Sequence, residues 1–140
     1  MYDLLVPFDN SPSARRALDH ALAVVRARAG TRLQVLSVLD DVGMDTRELV
    51  DAAEIDRVLA AEAAAILDPA RALVEPTGIA CTYHSAAGTP ARTIAEHARA
   101  HGVGEIVMGT RGLGTLSGLL LGSVAQRVLL LADCPVTLVK

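Results

Sequence analysis

The sequence predicts an α/β fold: a single domain over residues 1–140, built on an open parallel five-stranded sheet of order 3-2-1-4-5 with helices on both faces, a Rossmann-like architecture. Three observations lead there. Five short apolar runs alternate with segments of helical period along the 140 residues, and strands that alternate with helices pair in parallel through long right-handed crossovers. The chain is 51% hydrophobic but only 2% aromatic, enough apolar material for a sizeable core that must be aliphatic. Finally, an acidic residue closes the first strand and a glycine-rich loop follows the fourth. Doubly wound sheets gather ligands beyond such strand ends, where neighbouring connections depart in opposite directions. The strand order itself comes from analogy with such sheets.

Taken in order, Tyr2 to Phe8 reads as a buried strand, and Ser11-Pro12 supplies a cap and a proline for the first helical position. The helix that follows sets Ala14, Ala17, Leu18, Ala21, Leu22 and Val25 on one face and leaves Arg15, Arg16, Asp19 and Arg26 to solvent; Gly30 ends it. Leu33 to Leu39 is the second strand. Thr46 to about Val74 is a helical region in which Pro69 either kinks the helix or restarts it with Asp68 as cap. Ile79 to Ser85 is the third strand, and Thr89-Pro90 opens a helix with Ala91, Ile94, Ala95 and Ala98 inward and Arg92 and Glu96 outward. Glu105 to Met108 is the fourth strand, Ser123 to Ala132 a helix, and Val136 to Val139 a last short strand.

The segment from Val107 to Val124 carries the clearest chemical signal. Gly109, Gly112, Gly122 and Ser123 stand at the spacing G-x2-G-x9-G-S between an apolar strand and a helix start. Glycines let backbone amides approach a ligand, and a helix N-terminus offers unpaired N–H groups to anions, so the pattern suits phosphate. It is not a P-loop, because Leu119, Leu120 and Leu121 stand where that motif needs a lysine, and Gly112-Leu-Gly114-Thr-Leu-Ser117 imitates the dinucleotide fingerprint only in part.

This spacing resembles the nucleotide-binding motif of the universal stress protein family. The opening Leu4-Leu-Val-Pro-Phe-Asp-Asn-Ser11, the segment Gly88-Thr-Pro-Ala-Arg-Thr-Ile94 and the ending Ala132-Asp-Cys-Pro-Val-Thr-Leu-Val139 resemble the family in the same order. The resemblance implies an adenine nucleotide, ATP or else ADP or AMP, held with magnesium between strands one and four. It implies that Asp9, flanked by Pro7 and Phe8, meets the ribose and the phosphate or metal region, and that the Val38 backbone meets adenine. Gly109, Gly112, Gly122 and Ser123 would wrap the phosphates, with Met108, Arg111 and Val124 lining the site. Asn10 and Ser37 depart from the residues that many members carry. The resemblance further implies homodimers paired through the strand Val136 to Val139, an edge free of proline or inward charge, where Thr137→Pro is expected to remove a pairing donor.

Plainer readings stand beside these. Asp9, Asn10 and Ser11 also suit a turn and a cap; Arg111 also suits solvent. His97 and His101 share a helix face but read as solvated or dipole-stabilised, and His84 and His20 belong to no constellation, so no dedicated metal site is expected. Cys81 and Cys134 read as buried free thiols.

No catalytic residue stands out, since phosphoryl transfer needs a cation and a base or water-positioning group, and Lys140 is the sole lysine. The expectation is therefore an ATP-binding regulatory or stress-response protein with slow or no hydrolysis. A small nucleotide-dependent enzyme of the same fold and an interaction protein without nucleotide are the alternatives. A net charge of −3 with no basic run excludes a broad nucleic-acid footprint. The apolar runs Leu116 to Leu121 and Val128 to Leu131 are too short to cross a membrane, and no signal peptide opens the chain, so a soluble cytoplasmic protein is expected.

Overall fold

The computed structural model describes residues 1–41, 48–111 and 121–140. Among them run β1 (Tyr2–Pro7), α1 (Pro12–Ala27), β2 (Thr31–Leu39), α2 (Ala52–Val74), a short 3-10 turn (Glu75–Thr77), β3 (Cys81–Ala87), α3 (Pro90–Ala100), β4 (Glu105–Gly109), α4 (Ser123–Leu131) and β5 (Val136–Val139). The strands form one parallel sheet in the order β3-β2-β1-β4-β5. The order is the one expected, and it puts the reversal of winding between β1 and β4.

Two aliphatic layers hold helices to the sheet. Alternate residues of each strand face opposite sides. Leu4, Val6, Leu33, Val35 and Val107 meet Ala14, Ala17, Leu18, Ala21 and Leu22 of α1 and Leu67, Ala70 and Val74 of α2. Leu5, Leu36, Ile106 and Met108 meet Ala91, Ile94 and Ala98 of α3 and Ala125 and Val128 of α4 on the other side. Each fully buried leucine contributes about 1.5–3 kcal/mol by leaving water, and alanines at the helix contacts let the backbones approach the strands. The two tyrosines pack, half-buried, at the margin of the first layer. Tyr2 donates its hydroxyl hydrogen bond to the Gly104 carbonyl at 3.1 Å and lies under the Arg28 guanidinium at 4.0 Å, while Tyr83 lies under Arg71 at 4.0 Å.

Pro69 neither restarts α2 nor ends it: the helix runs through, and Asp51, not Asp68, caps its start through the Ala53 N–H. The carbonyl that Pro69 leaves without its usual donor is that of Ala65, on the exposed side of the helix. The predicted start at Thr46 lies outside the described residues. β3 runs two residues later than expected, because Thr77 and Gly78, with φ 72° at the glycine, close the preceding turn and Ile79 spends its N–H on the Thr77 hydroxyl. Both cysteines are free and half-buried rather than fully buried.

Among the described residues no helix is long and apolar enough to cross a membrane.

Candidate functional site

The crevice begins where β1 ends. The Phe8 N–H donates to the Leu36 carbonyl at 2.8 Å, carrying the β1–β2 ladder one residue past Pro7 and setting Asp9 on the rim. The Asp9 Oδ1 accepts the Ser11 N–H at 2.9 Å, and Asn10 between them takes φ 62°, a left-handed conformation that asparagine tolerates better than most side chains. The Ser11 Oγ then accepts the Ala14 N–H at 3.1 Å and caps α1. The turn-and-cap reading of Asp9 therefore describes its geometry. The same hydrogen bond fixes the carboxylate at the rim, with Oδ2 free of any partner among the described residues.

β4 ends against the first turn of α1, and glycine makes that approach possible. A Cβ on Gly109 would stand 2.1 Å from the Ser13 Oγ and 2.8 Å from the Ser13 carbonyl carbon. Ser13 is buried, and its Oγ accepts the Arg111 N–H at 3.2 Å. Gly109 was assigned to phosphate from its spacing; the contact gives it a packing reason first. Ser13 is the residue that sequence reasoning missed, and its signal was the second serine of Ser11-Pro12-Ser13.

Two hydrogen bonds close the base of the glycine-rich segment. The Thr110 N–H donates to the Val139 carbonyl at 3.0 Å, and the Gly122 N–H to the Thr110 carbonyl at 2.6 Å. Gly109 and Gly122, thirteen positions apart in the chain, are thus brought to one place. Gly112 lies outside the described residues. Gly122 is the N-cap of α4, in extended backbone with φ −67° and ψ 158°, and no side chain among the described residues caps this helix. Its first internal bond runs from the Gln126 N–H to the Gly122 carbonyl at 3.1 Å, so the amides of Ser123, Val124 and Ala125 precede the ladder. Such amides at the positive end of a helix form an anion site.

The remaining expected residues divide by what they can offer. Pro7 and Val38 are half-buried at the ends of β1 and β2, and Val124 is half-buried beside the α4 start. Arg111 and Ser123 are exposed. Phe8 and Met108, however, are 3% and 6% exposed and point into the two core layers; only their backbones face the rim. Beside Val38, the fully buried Ser37 Oγ has no hydrogen-bond partner among the described residues.

At the opposite, amino-terminal edge of the sheet a second polar group forms. The buried Asp3 carboxylate accepts from Arg32 Nε at 2.6 Å and Nη2 at 2.9 Å and from Gln34 Nε2 at 3.0 Å. Hydrogen bonds from Arg32 hold the Asp3 carboxyl below its ordinary range, against the opposing effect of burial. Gln34 in turn meets His97 at 3.1 Å.

Comparison with known proteins converges on one family. The universal stress protein family model matches residues 1–140. A universal stress protein of Bacillus subtilis, YxiE, is 31% identical over 145 aligned residues, covering 98% of this chain and 97% of the relative. Among solved structures, the universal stress protein UspA of Lactobacillus plantarum superposes with a TM-score of 0.85 at 26% identity, covering 99% of this chain and 97% of that one. A universal stress protein in complex with cAMP superposes at 0.75 with 25% identity over 99% of this chain and 97% of that one. One from Archaeoglobus fulgidus in complex with dAMP does so at 0.73 with 26% identity over 100% of this chain and 98% of that one. With its sheet order, its strand ends and the match along its whole length all agreeing, the chain belongs to the universal stress protein family.

Proposed function

We propose that this protein binds an adenine nucleotide, ATP with magnesium foremost, between the ends of β1 and β4, and that it acts in regulation or the stress response with slow or no hydrolysis. The observation that carries the reading is the N-terminus of α4: three amides precede its first internal bond, no side chain among the described residues caps them, and Asp9 stands fixed on the facing rim. Phosphate oxygens suit the amides of Ser123 and Val124 and the Ser123 hydroxyl. The second Asp9 oxygen suits a ribose hydroxyl or the magnesium that neutralises phosphate charge, and the Val38 backbone at the end of β2 suits the adenine. The cAMP and dAMP complexes of the two relatives support the adenine class. Arg111 is the nearby cation, and no base stands beside it among the described residues. Turnover therefore falls below the range of about 1 to 1,000 per second of ordinary enzymes.

Calorimetry with ATP and magnesium tests the site directly. One nucleotide per chain is expected, together with release of nucleotide when freshly purified protein is denatured. Gly122→Val, which puts a branched side chain at the phosphate amides, is expected to abolish binding while circular dichroism stays unchanged. Folded wild-type protein that does not bind at millimolar ATP would overturn the reading.

The same reading includes a homodimer through β5, the edge strand beside β4. Here the ladder corrects the expected disrupting substitution. Ile106 and Thr110 donate to the carbonyls of Pro135 and Val139, so by the alternation of a parallel ladder Thr137 also turns its backbone groups inward, and Thr137→Pro would break β4–β5 pairing. The outward amides are those of Val136 and Leu138. Leu138→Pro is therefore the variant expected to turn dimer into monomer in light scattering, with the fold kept.

A further inference from the structure

We propose that His84, His97 and His101 bind one divalent transition-metal ion of the zinc class, with a fourth coordination position open to the cleft beside β3. The sequence put His84 in no constellation and gave no dedicated metal site. The fold brings the three together: His84 from β3, His97 from the last turn of α3 and His101 from its C-cap. One nitrogen of each ring lies within 4.8 Å of the others. The ring centroids are 3.9 Å apart for His97 and His101, 4.8 Å for His84 and His97, and 5.3 Å for His84 and His101.

Hydrogen bonds aim the lone pairs. The His101 Nδ1 stands 3.0 Å from the His97 carbonyl, which can only accept, so Nδ1 carries the proton and Nε2 is left as a ligand. For His97 the assignment starts at Asp3. Its carboxylate, pinned by Arg32, accepts from Gln34 Nε2, which turns the Gln34 Oε1 toward His97 Nε2 at 3.1 Å. His97 then donates from Nε2 and keeps the Nδ1 lone pair. The His84 Nε2 meets the Thr82 hydroxyl at 3.1 Å; that hydroxyl can accept from Nε2, and in that tautomer the Nδ1 lone pair is the ligand. A histidine whose second nitrogen is bound to a carbonyl or amide oxygen is the usual arrangement at a metal.

Size and ligand type choose the ion. Metal–nitrogen bonds of about 2.0–2.1 Å in a tetrahedral site separate ligand nitrogens by roughly 3.4 Å. Ring nitrogens that already lie within 4.8 Å of one another approach that spacing by side-chain rotation, which the exposed His101 allows. Three imidazoles suit zinc, copper, nickel or cobalt and not magnesium or calcium, which take oxygen. The C-terminal end of α3, where two of the three stand, carries the negative end of the helix dipole. The adjoining cavity of about 400 Å³, lined by Asp3, Gln34, Thr82, His84 and His101 among others, gives water or a small ligand a path to the fourth position. Cys81 lines it too, but burial first of all pushes its thiol up to about 11 and keeps it from being a ready thiolate. Asp3 and Arg32 stand at the amino-terminal edge of the sheet, His84 lies within β3 in register with Leu36 and through it with Pro7, and none of the three histidines is among the residues of the nucleotide crevice.

The test is zinc titration of tag-free, chelator-stripped protein without nucleotide, by calorimetry, with cobalt absorption as the signature of tetrahedral coordination. One zinc per chain is expected, with magnesium giving no binding. His84→Gln and His101→Gln, each with unchanged circular dichroism, are expected to weaken zinc at least tenfold, and His20→Ala on α1 to leave it unchanged. Absence of saturable binding, wild-type affinity in both histidine variants, or an equal loss in His20→Ala would overturn the proposal. Because no nucleotide is present, none of these results bears on the crevice.

Discussion

The two ends of the sheet are built from different materials. The carboxyl end is mostly backbone: Gly109 lets β4 meet α1, the Thr110 and Gly122 amides close a loop base, and the α4 amides stand uncapped. From the amino end to the middle of β3 the material is side chain: Asp3, Arg32, Gln34 and three histidines from four separate elements, with Asp3 orienting Gln34 and Gln34 orienting His97. Backbone sites leave glycines at fixed spacing within one segment, whereas side-chain sites leave residues scattered over the chain that only the fold assembles. The first kind tolerates changes of side chain and fails when a Cβ is added; the second fails when one link is removed.

The largest expected effect is at the carboxyl end. Gly109→Ala forces its Cβ into Ser13, whose backbone carbon as well as hydroxyl stands in the way. Urea denaturation is expected to show a loss of about 3 kcal/mol, the upper end for overpacking. Ser13→Gly added to it is expected to recover only part, because the backbone contact remains. A Gly109→Ala protein as stable as wild type would mean that α1 and β4 are not tightly apposed.

At the amino end, Asp3→Ala leaves Gln34 and Arg32 without their acceptor. Arg32 is 59% exposed and regains water, so the expected loss is about 1–2 kcal/mol, below that of a fully buried charged pair. Its pH dependence has a definite sign. Because the folded Asp3 carboxyl is held below its ordinary 3.8, its contribution is complete above about that pH and disappears as pH falls through the lowered folded value. Wild type and Asp3→Asn should therefore differ near neutrality and converge in acid; a gap that widens in acid would contradict the ion pair.

Smaller effects compare the two helix starts. Ser11→Ala removes the α1 cap and is expected to cost about 1 kcal/mol in thermal unfolding. Gly122→Asp supplies α4 with the cap it lacks and is expected to raise stability without nucleotide by a few tenths of a kcal/mol, while like-charge repulsion weakens ATP more than tenfold. If Gly122→Asp left ATP affinity unchanged, the α4 amides would not be where phosphate sits.

The sheet and the crevice were legible because both are written in local patterns. Ser11-Pro12 before an apolar helical face, and a glycine segment after Met108, need only neighbouring residues to be read. Of the two readings of Pro69 the restart at Asp68 fails, because the cost of the proline depends on whether Ala65 faces solvent, which is a property of packing. The packing role of Gly109 was not legible, since nothing in a sequence shows that Ser13 would lie against it. His84 was illegible for a similar reason: its partners stand thirteen and seventeen positions away, on a helix whose rotation decides whether they meet.

The two tyrosines, each under an arginine, also determine how this molecule can be watched. The chain has no tryptophan, and its tyrosines stand at the start of β1 and inside β3, so its intrinsic fluorescence originates within those strands and none of it at the rim where Asp9 stands. Light emitted by the native protein reports on those strands, and an optical signal from the rim must be brought in by the ligand.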